Sequence, residues 1–272
     1  MVVKVAVTGA LGRMGSGIIK TIQEHPDLKL VAAVEAPNHK RRGEDVGKVL
    51  GIGEIGVVLE TADRLEEVLK ESKPDVLVDF TTPEATVKTV KIAAPLGINL
   101  VIGTTGFTSE QKKEIEGTIM KHGVAAVISQ NYAVGVNIFF KVLEFLAKKL
   151  GDYDIEIVEM HHRYKRDAPS GTALRAAEVI IDNLDRDVNL IYGRVGILGE
   201  RKKDEICIHA IRGGDVVGEH TVIFAGDGER LEVTHRASSR QAFVNGAIIA
   251  VKFIAGKREG IYDTFDVLGL RD

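Results

Sequence analysis

Val2-Val3-Lys4-Val5-Ala6-Val7-Thr8 runs straight into Gly9-Ala10-Leu11-Gly12-Arg13-Met14-Gly15. A short apolar, β-branched run of this kind reads as a buried strand. Glycine at every third position of the following turn permits a tight bend and a close approach of backbone to a ligand. Residues 16–24 then read as a helix, and a second apolar strand, 28–34, is closed by Glu35, about twenty residues past the last glycine. Strand, glycine turn, helix, strand and acid in that order predict a dinucleotide site. The helix N-terminus faces the pyrophosphate, and Glu35 accepts hydrogen bonds from the adenosine ribose. Leu11 stands where the commoner fingerprint has a glycine.

Outward from this unit, strands and helices keep alternating through the first half of the chain. Apolar strands are expected at 75–79, 99–102 and 124–128, with helices at 83–94 and 109–121. Pro83 suits a first helical turn, and Thr108 with Gln111 has capping-box spacing. That alternation predicts an α/β fold with a doubly wound parallel sheet. Two polar turns, Asp79-Phe80-Thr81-Thr82 and Gly103-Thr104-Thr105-Gly106, fall where strands end, the usual place for ligands in open α/β sheets.

After Asn131 the pattern changes. A long helix is expected at 137–150 and strands at 154–161, 206–211, 220–224 and 230–237, several of them separated by short glycine turns. These predict a second α+β domain with a mixed or antiparallel sheet. A last helix, 240–255, is expected to return to the first domain. The division drawn from the sequence is therefore 1–131 plus 240–272 for dinucleotide binding, and 132–239 for substrate binding and oligomerisation.

The second domain holds the densest group of reactive side chains, Glu159-Met160-His161-His162-Arg163-Tyr164-Lys165-Arg166-Asp167-Ala168-Pro169-Ser170-Gly171-Thr172-Ala173. Adjacent side chains of a strand point to opposite faces, so His161 and His162 diverge and a shared metal is not expected. A helix beginning near Ser170 or Gly171 offers unpaired N–H groups to a carboxylate or phosphate. Lys165 and the hydroxyls of Ser170 and Thr172 add donors for the same anion, and either histidine can supply a proton near neutral pH.

Composition narrows the function classes. The chain has 272 residues, 44% hydrophobic and 28% charged, with a formal net charge of −3, which gives no electrostatic case for nucleic-acid or membrane binding. The single cysteine, Cys207, excludes an intrachain disulfide framework and reads as a buried thiol. No stretch is long enough to span a membrane and none resembles a secretory signal, so a cytoplasmic enzyme is expected. The competing classes are another two-domain NAD(P)-dependent oxidoreductase, acting on a sugar or polyol, and a non-catalytic dinucleotide sensor. Neither needs the histidine-lysine stretch joined to Ser-Gly-Thr.

Nearly end to end, the chain resembles the 4-hydroxy-tetrahydrodipicolinate reductase (dihydrodipicolinate reductase) family. The resemblance is carried by the glycine turn, Asp79-Phe80-Thr81, Gly103-Thr104-Thr105-Gly106-Phe107, Asn131-Tyr132-Ala133-Val134-Gly135-Val136-Asn137 and, most specifically, the Glu159 to Ala173 stretch. Gly214-Asp215-Val216-Val217-Gly218-Glu219-His220-Thr221 and Thr234-His235-Arg236-Ala237-Ser238-Ser239-Arg240 add to it. It implies hydride transfer from NADH or NADPH to a cyclic unsaturated dicarboxylate, in the diaminopimelate route to lysine, by a homotetramer built through the second domain's sheet. Carried onto matching positions, Gly9, Ala10, Leu11, Gly12, Arg13 and Met14 wrap the pyrophosphate and Glu35 the ribose. Gly103, Thr104 and Thr105, with Ser129, Gln130, Asn131 and Tyr132, hold the nicotinamide side. His161 is the proton donor assisted by Lys165. His162, Ser170, Gly171 and Thr172, with Arg240, are the candidates for the substrate carboxylates. One departure bears on the cofactor: Ala36 follows the ribose-binding acid where many members have arginine, and His39-Lys40-Arg41-Arg42 is the nearby basic run that can replace it.

Overall fold

The computed structural model describes residues 2–271; Met1 and Asp272, the ends of the first domain as drawn from the sequence, lie outside the described residues. The chain divides into two compact units, one taking residues up to Val134 and those from Gln241 onward, the other Gly135–Arg240.

In chain order, the first unit begins with β1 (Val3–Thr8), α1 (Arg13–Ile22), β2 (Leu28–Glu35), α2 (Val46–Leu50), β3 (Leu59–Thr61), α3 (Leu65–Ser72), β4 (Val76–Asp79) and α4 (Pro83–Ala93). It continues with β5 (Asn99–Ile102), α5 (Ser109–His122) and β6 (Ala125–Ile128). The second unit carries α6 (Val134–Lys149, its first residue still in the first unit), β7 (Asp154–His161), α7 (Gly171–Ile181), β8 (Asn189–Tyr192), β9 (Glu205–Arg212), β10 (Gly218–Gly226) and β11 (Glu229–Ala237). The chain then re-enters the first unit as α8 (Gln241–Ala255), β12 (Gly260–Tyr262) and α9 (Thr264–Val267).

The first unit's sheet has seven parallel strands in the order β3-β2-β1-β4-β5-β6-β12. Strand order reverses between β1 and β4, which opens a crevice at their carboxyl ends. Buried on both faces, β4 reads Val76-Leu77-Val78-Asp79 without alternation. α1 and α8 cover one face, where Ile18, Ile19 and Ile22 pack with Val244, Ala247 and Val251. On the other face lie α3, α4 and α5, through Leu65, Leu69, Val90, Ala93, Ile115 and Ile119. The Thr108 capping box at α5 forms as the sequence predicts.

The second unit's sheet is mixed, in the order β11-β10-β7-β9-β8. β7 is antiparallel to β10 but parallel to β9, and β8 is parallel to β9. Strict alternation along β7 buries Ile155, Ile157, Glu159 and His161 on one face, so two functional-type side chains share the core side with two isoleucines.

Several elements lie beyond the sequence reading. α2, β3, α3, β8, β12 and α9 are absent from it, and α1 begins at Arg13 because the glycine turn itself supplies its N-cap residue, Gly12.

Candidate functional site

At the end of β1, Gly9 adopts φ +62°, a left-handed conformation open to glycine at little cost, and its carbonyl accepts from Gly12 N at 2.9 Å. A Cβ on Gly15 would collide with that same carbonyl, so the turn tolerates no side chain there. No side chain caps α1, so its first-turn N–H groups stay available for an anion. Glu35 braces the loop: Oε2 accepts from Leu11 N and Oε1 from Ala36 N, both at 2.9 Å. A cavity of about 710 Å³ opens beside these residues, lined by Gly9, Gly12, Glu35, Ala36, Thr81 and Lys88 among others. Its volume falls in the range of small-molecule and cofactor sites, and Lys88 is a lining residue that sequence reasoning missed.

The other strand ends form one polar lock. Asp79, fully buried, accepts at Oδ1 from Thr81 N (3.0 Å), Thr81 Oγ1 (2.6 Å), Thr86 Oγ1 (3.0 Å) and Thr104 Oγ1 (3.3 Å). The hydroxyl of Thr104 is therefore spent holding two turns together. Gly103 lies under the ring of Phe80, where a Cβ would clash. Thr104, Thr105, Ser129 and Gln130 line a second cavity of about 450 Å³. Ser129 Oγ donates to Asn131 O at 3.1 Å, and Asn131 Oδ1 accepts from Ala133 N at 2.9 Å. Tyr132 turns inward, and its hydroxyl donates to Ile102 O (2.8 Å) and Val127 O (3.0 Å). Burial pushes its phenol well above the ordinary value, which keeps it a neutral donor. What Tyr132 can offer a cofactor is backbone, not its ring.

In the second unit the centre is Glu159, with no exposed surface. Arg212 grips it bidentately, Nη1 to Oε2 at 2.9 Å and Nη2 to Oε1 at 2.8 Å. Ser170 N donates to Oε1 at 3.0 Å, and His161 Nδ1 lies 2.6 Å from Oε2. Burial pushes the Glu159 carboxyl up, but Arg212, His161 and the Ser170 N–H outweigh it and hold it below the ordinary range. His161 is itself 9% exposed; burial pushes its imidazole below the ordinary value, partly opposed by Glu159. His220 packs edge-on against it, ring centroids 5.2 Å apart, and lies 2.9 Å from Ser170 Oγ through Nε2. Burial takes His220 down to about 3.

The remaining predicted substrate residues divide. Ser170 is buried and caps α7, its Oγ accepting from Ala173 N at 3.2 Å, so its hydroxyl is committed to structure. Gly171 and Thr172 form the exposed and half-exposed first turn of α7. His162 is half-buried on the loop after β7, and Lys165 pairs with Asp167 at 2.8 Å. Arg240 is exposed, immediately before α8, and is not part of this hydrogen-bonded cluster. Arg212 and His220 lie outside the sequence reading, because 53 residues separate Arg212 from Glu159 and 50 separate His220 from Ser170.

Elsewhere, Glu156, Cys207 and His209 bring ligand-type atoms within 4.8 Å of one another. Glu156, however, is held by Arg194 at 2.8 Å and Arg201 at 3.0 Å, and a cation there would face two guanidiniums. Cys207 is buried and its thiol pushed up by burial, as befits an inert core thiol.

The buried histidines carry a stability consequence. Their folded values lie below the 6.5 of a free imidazole, so the unfolded chain binds more protons below that pH. The contribution is complete above pH 6.5 and is lost as pH falls toward 3. His220 alone should cost about 2 kcal/mol of stability by pH 5. Thermal unfolding between pH 7.5 and 5 reads this directly, and His220→Gln should flatten the dependence; an equally steep fall in that variant refutes the assignment.

Comparison with known proteins gives concordant results. The family description "Dihydrodipicolinate reductase, N-terminus" matches residues 3–132 and "Dihydrodipicolinate reductase, C-terminus" matches residues 135–268. The chain is 72% identical over 270 residues to a 4-hydroxy-tetrahydrodipicolinate reductase of Methanocaldococcus jannaschii, covering 99% of this chain and 98% of that one. It is 70% identical over 268 residues to the protein of that name from Methanococcus maripaludis, covering 98% and 99%. Among solved structures it is similar to a dipicolinate-bound dihydrodipicolinate reductase from Paenisporosarcina, with a TM-score of 0.77 and 26% identity over 98% of this chain and 99% of that chain.

Proposed function

The chain belongs to the dihydrodipicolinate reductase family and is a nicotinamide-dependent oxidoreductase, and from that premise we propose how its residues divide the work. The first unit binds the dinucleotide and the second binds a cyclic unsaturated dicarboxylate, which the enzyme reduces to tetrahydrodipicolinate in diaminopimelate and lysine biosynthesis. The observation that carries the substrate side is the buried Glu159–His161 pair beside the N-terminus of α7, where Ser170 caps Ala173 N and Gly171 and Thr172 form the exposed and half-exposed first turn. A proton donor next to a carboxylate-binding helix end is what reduction of an unsaturated ring dicarboxylate requires, and a sensor has no use for it.

The glycine turn fits a pyrophosphate: Gly15 lets the helix start close against the Gly9 carbonyl, and the first turn of α1 carries no side-chain cap. When bound, NAD(P)H supplies the hydride. Thr105, Ser129 and Gln130, with the backbone of Gly103, Thr104, Asn131 and Tyr132, shape the nicotinamide side. Gly171, Thr172 and His162 hold one substrate carboxylate, with Lys165 and Arg240 as further cations for the other. His161 gives its proton as negative charge develops on the substrate's ring-nitrogen side, and Lys165 stabilises that charge. Substrate-dependent loss of reduced-nicotinamide absorbance, with substrate generated in place from aspartate semialdehyde and pyruvate by a coupling synthase, tests this. Folded protein that binds either cofactor without turnover would sink the reading and favour a sensor.

Both cofactors are used, with NADH the better one. Glu35 puts a carboxylate at the ribose, and the two arginines available for a 2′-phosphate are engaged, Arg41 with Glu44 at 2.8 Å and Arg42 with Glu60 at 3.1 Å. These are exposed pairs of small worth, so they yield to a phosphate at a modest penalty. kcat/KM should be higher with NADH, and the double variant Glu44→Gln/Glu60→Gln should raise it for NADPH alone. A wild-type preference for NADPH overturns this view.

The assembly is a homotetramer through the second unit's sheet, working in the cytoplasm, where its reduced cofactor is supplied. The loop after β8 supports the tetramer, because Val195, Ile197 and Leu198 are 88%, 103% and 63% exposed, and a second copy would cover them. A solution mass of one 29.5 kDa chain would refute it. No helix among the described residues is long and apolar enough to cross a membrane.

A further inference from the structure

We propose that Glu159 is a positioning residue of the reductase reaction: clamped by Arg212, it fixes His161 with its Nδ1 hydrogen turned inward and leaves Nε2, beside Gly218, as the edge that gives the proton. This inference rests on the reading of His161 as proton donor.

The clamp is rigid. Both Glu159 oxygens are engaged, by the two guanidinium N–H groups of Arg212 and by Ser170 N, so the carboxylate cannot rotate. Arg212 is fixed in turn, because Nη2 also donates to the carbonyl of Asp167. An ionised carboxylate only accepts hydrogen bonds. The 2.6 Å approach of His161 Nδ1 to Oε2 therefore requires hydrogen on Nδ1 whether the imidazole is neutral or charged. In the neutral ring the lone pair is then on Nε2, and that nitrogen loses and regains the exchangeable proton.

The other edge of the ring is kept clear by sequence. A Cβ on Gly218, the first residue of β10, would lie 3.0 Å from His161 Nε2. Any larger residue there would crowd the nitrogen that must meet substrate, and His161 cannot retreat because Glu159 holds its far side. Gly218 thus complements Glu159: one holds the ring, the other leaves its working atom open.

Charge follows the same design. The groups facing His161 are Glu159 on its own strand, Arg212 on β9, Lys165 on the following loop and His220 on β10. Burial, Lys165 and Arg212 all disfavour the imidazolium, and Glu159 alone of the four favours it. Removing its charge while keeping its shape should therefore lower the pH at which His161 is protonated.

The test uses the full-length protein labelled with ¹⁵N-histidine, together with steady-state rates. In the wild type, ring ¹⁵N shifts of neutral His161 should report hydrogen on Nδ1. In Glu159→Gln, His161 should titrate at lower pH, and the limb of the kcat profile that needs its proton should move the same way. kcat should fall about 10–100-fold, as for other groups that orient a working imidazole through a hydrogen bond, with KM for the dinucleotide unchanged. Gly218→Ala leaves every charge in place and serves if the first variant fails to fold; it should lower kcat without moving the His161 titration. Hydrogen on Nε2 in the neutral wild type overturns the proposal, as does a Glu159→Gln enzyme with unchanged rate and pH profile, or a fully active Gly218→Ala. A wild type without turnover would instead refute the reductase reading, while the ring shifts still decide the orientation of His161.

Discussion

His161→Asn is expected to lower turnover by about 10²–10⁴-fold, the usual worth of a positioned general acid, while leaving dinucleotide affinity and the unfolding midpoint near wild type. Asparagine keeps a hydrogen-bonding group beside Glu159, so the buried carboxylate is not abandoned, yet it has no proton to give at any working pH. The loss should appear in kcat and kcat/KM together, since the proton is needed in the transition state rather than for binding. Lys165→Ala makes an informative partner. Lys165 sits on the loop and pairs with Asp167, so its loss removes charge from the site without opening the core. If His161→Asn keeps more than about a tenth of wild-type turnover, the proton comes from elsewhere, and Lys165 is the next group to examine.

The largest effect on folding is expected at Gly246. This glycine lies in the middle of α8, where the helix passes over the backbone of Tyr132 so closely that a Cβ would overlap the Tyr132 carbonyl oxygen. The carbonyl cannot move aside, because the Tyr132 hydroxyl is tied to the carbonyls of Ile102 and Val127. Gly246→Ala should therefore cost more than about 3 kcal/mol, at or beyond the upper end of overpacking penalties. Gly117 in α5 provides the contrast: a Cβ there meets nothing within 4 Å. Gly117→Ala should be stabilising by roughly 0.5–1 kcal/mol through helix propensity alone. Denaturant unfolding of the two variants side by side checks both, and a near-neutral Gly246→Ala would show that α8 packs more loosely than described.

Local chemistry made much of this molecule legible in its sequence. The glycine turn could be read because a left-handed residue and a close carbonyl contact leave few choices besides glycine. The α5 cap could be read because Thr108 and Gln111 satisfy each other's backbone donors. β8 and β12 could not: four and three residues on sheet edges are too short to show a period. In α3 the spacing of Leu65 and Leu69 is a single helical turn of apolar signal among charged neighbours, too short to mark a helix.

At the site, residue types were visible and partnerships were not. Ser170 and Tyr132 looked like ligand contacts, but their hydroxyls are committed to a helix cap and to strand carbonyls. Arg212 and His220 act on Glu159 and Ser170 only because β9 and β10 flank β7, a pairing that no local pattern encodes.

The chain leaves its first unit after Val134 and returns only at Gln241, and that detour sets an order of events during synthesis. The seven-stranded sheet lacks α8 and its edge strand β12 until the last thirty or so residues have been made, and one face of its core closes on Tyr132, Val244, Ala247 and Val251 together. While a ribosome is still adding β9 to β11, the nascent first unit stands with an apolar face open and a strand edge unpaired. The intervening unit, whose strands are contiguous in the chain, has all its partners in hand first. The part of the protein that begins earliest is the part completed last.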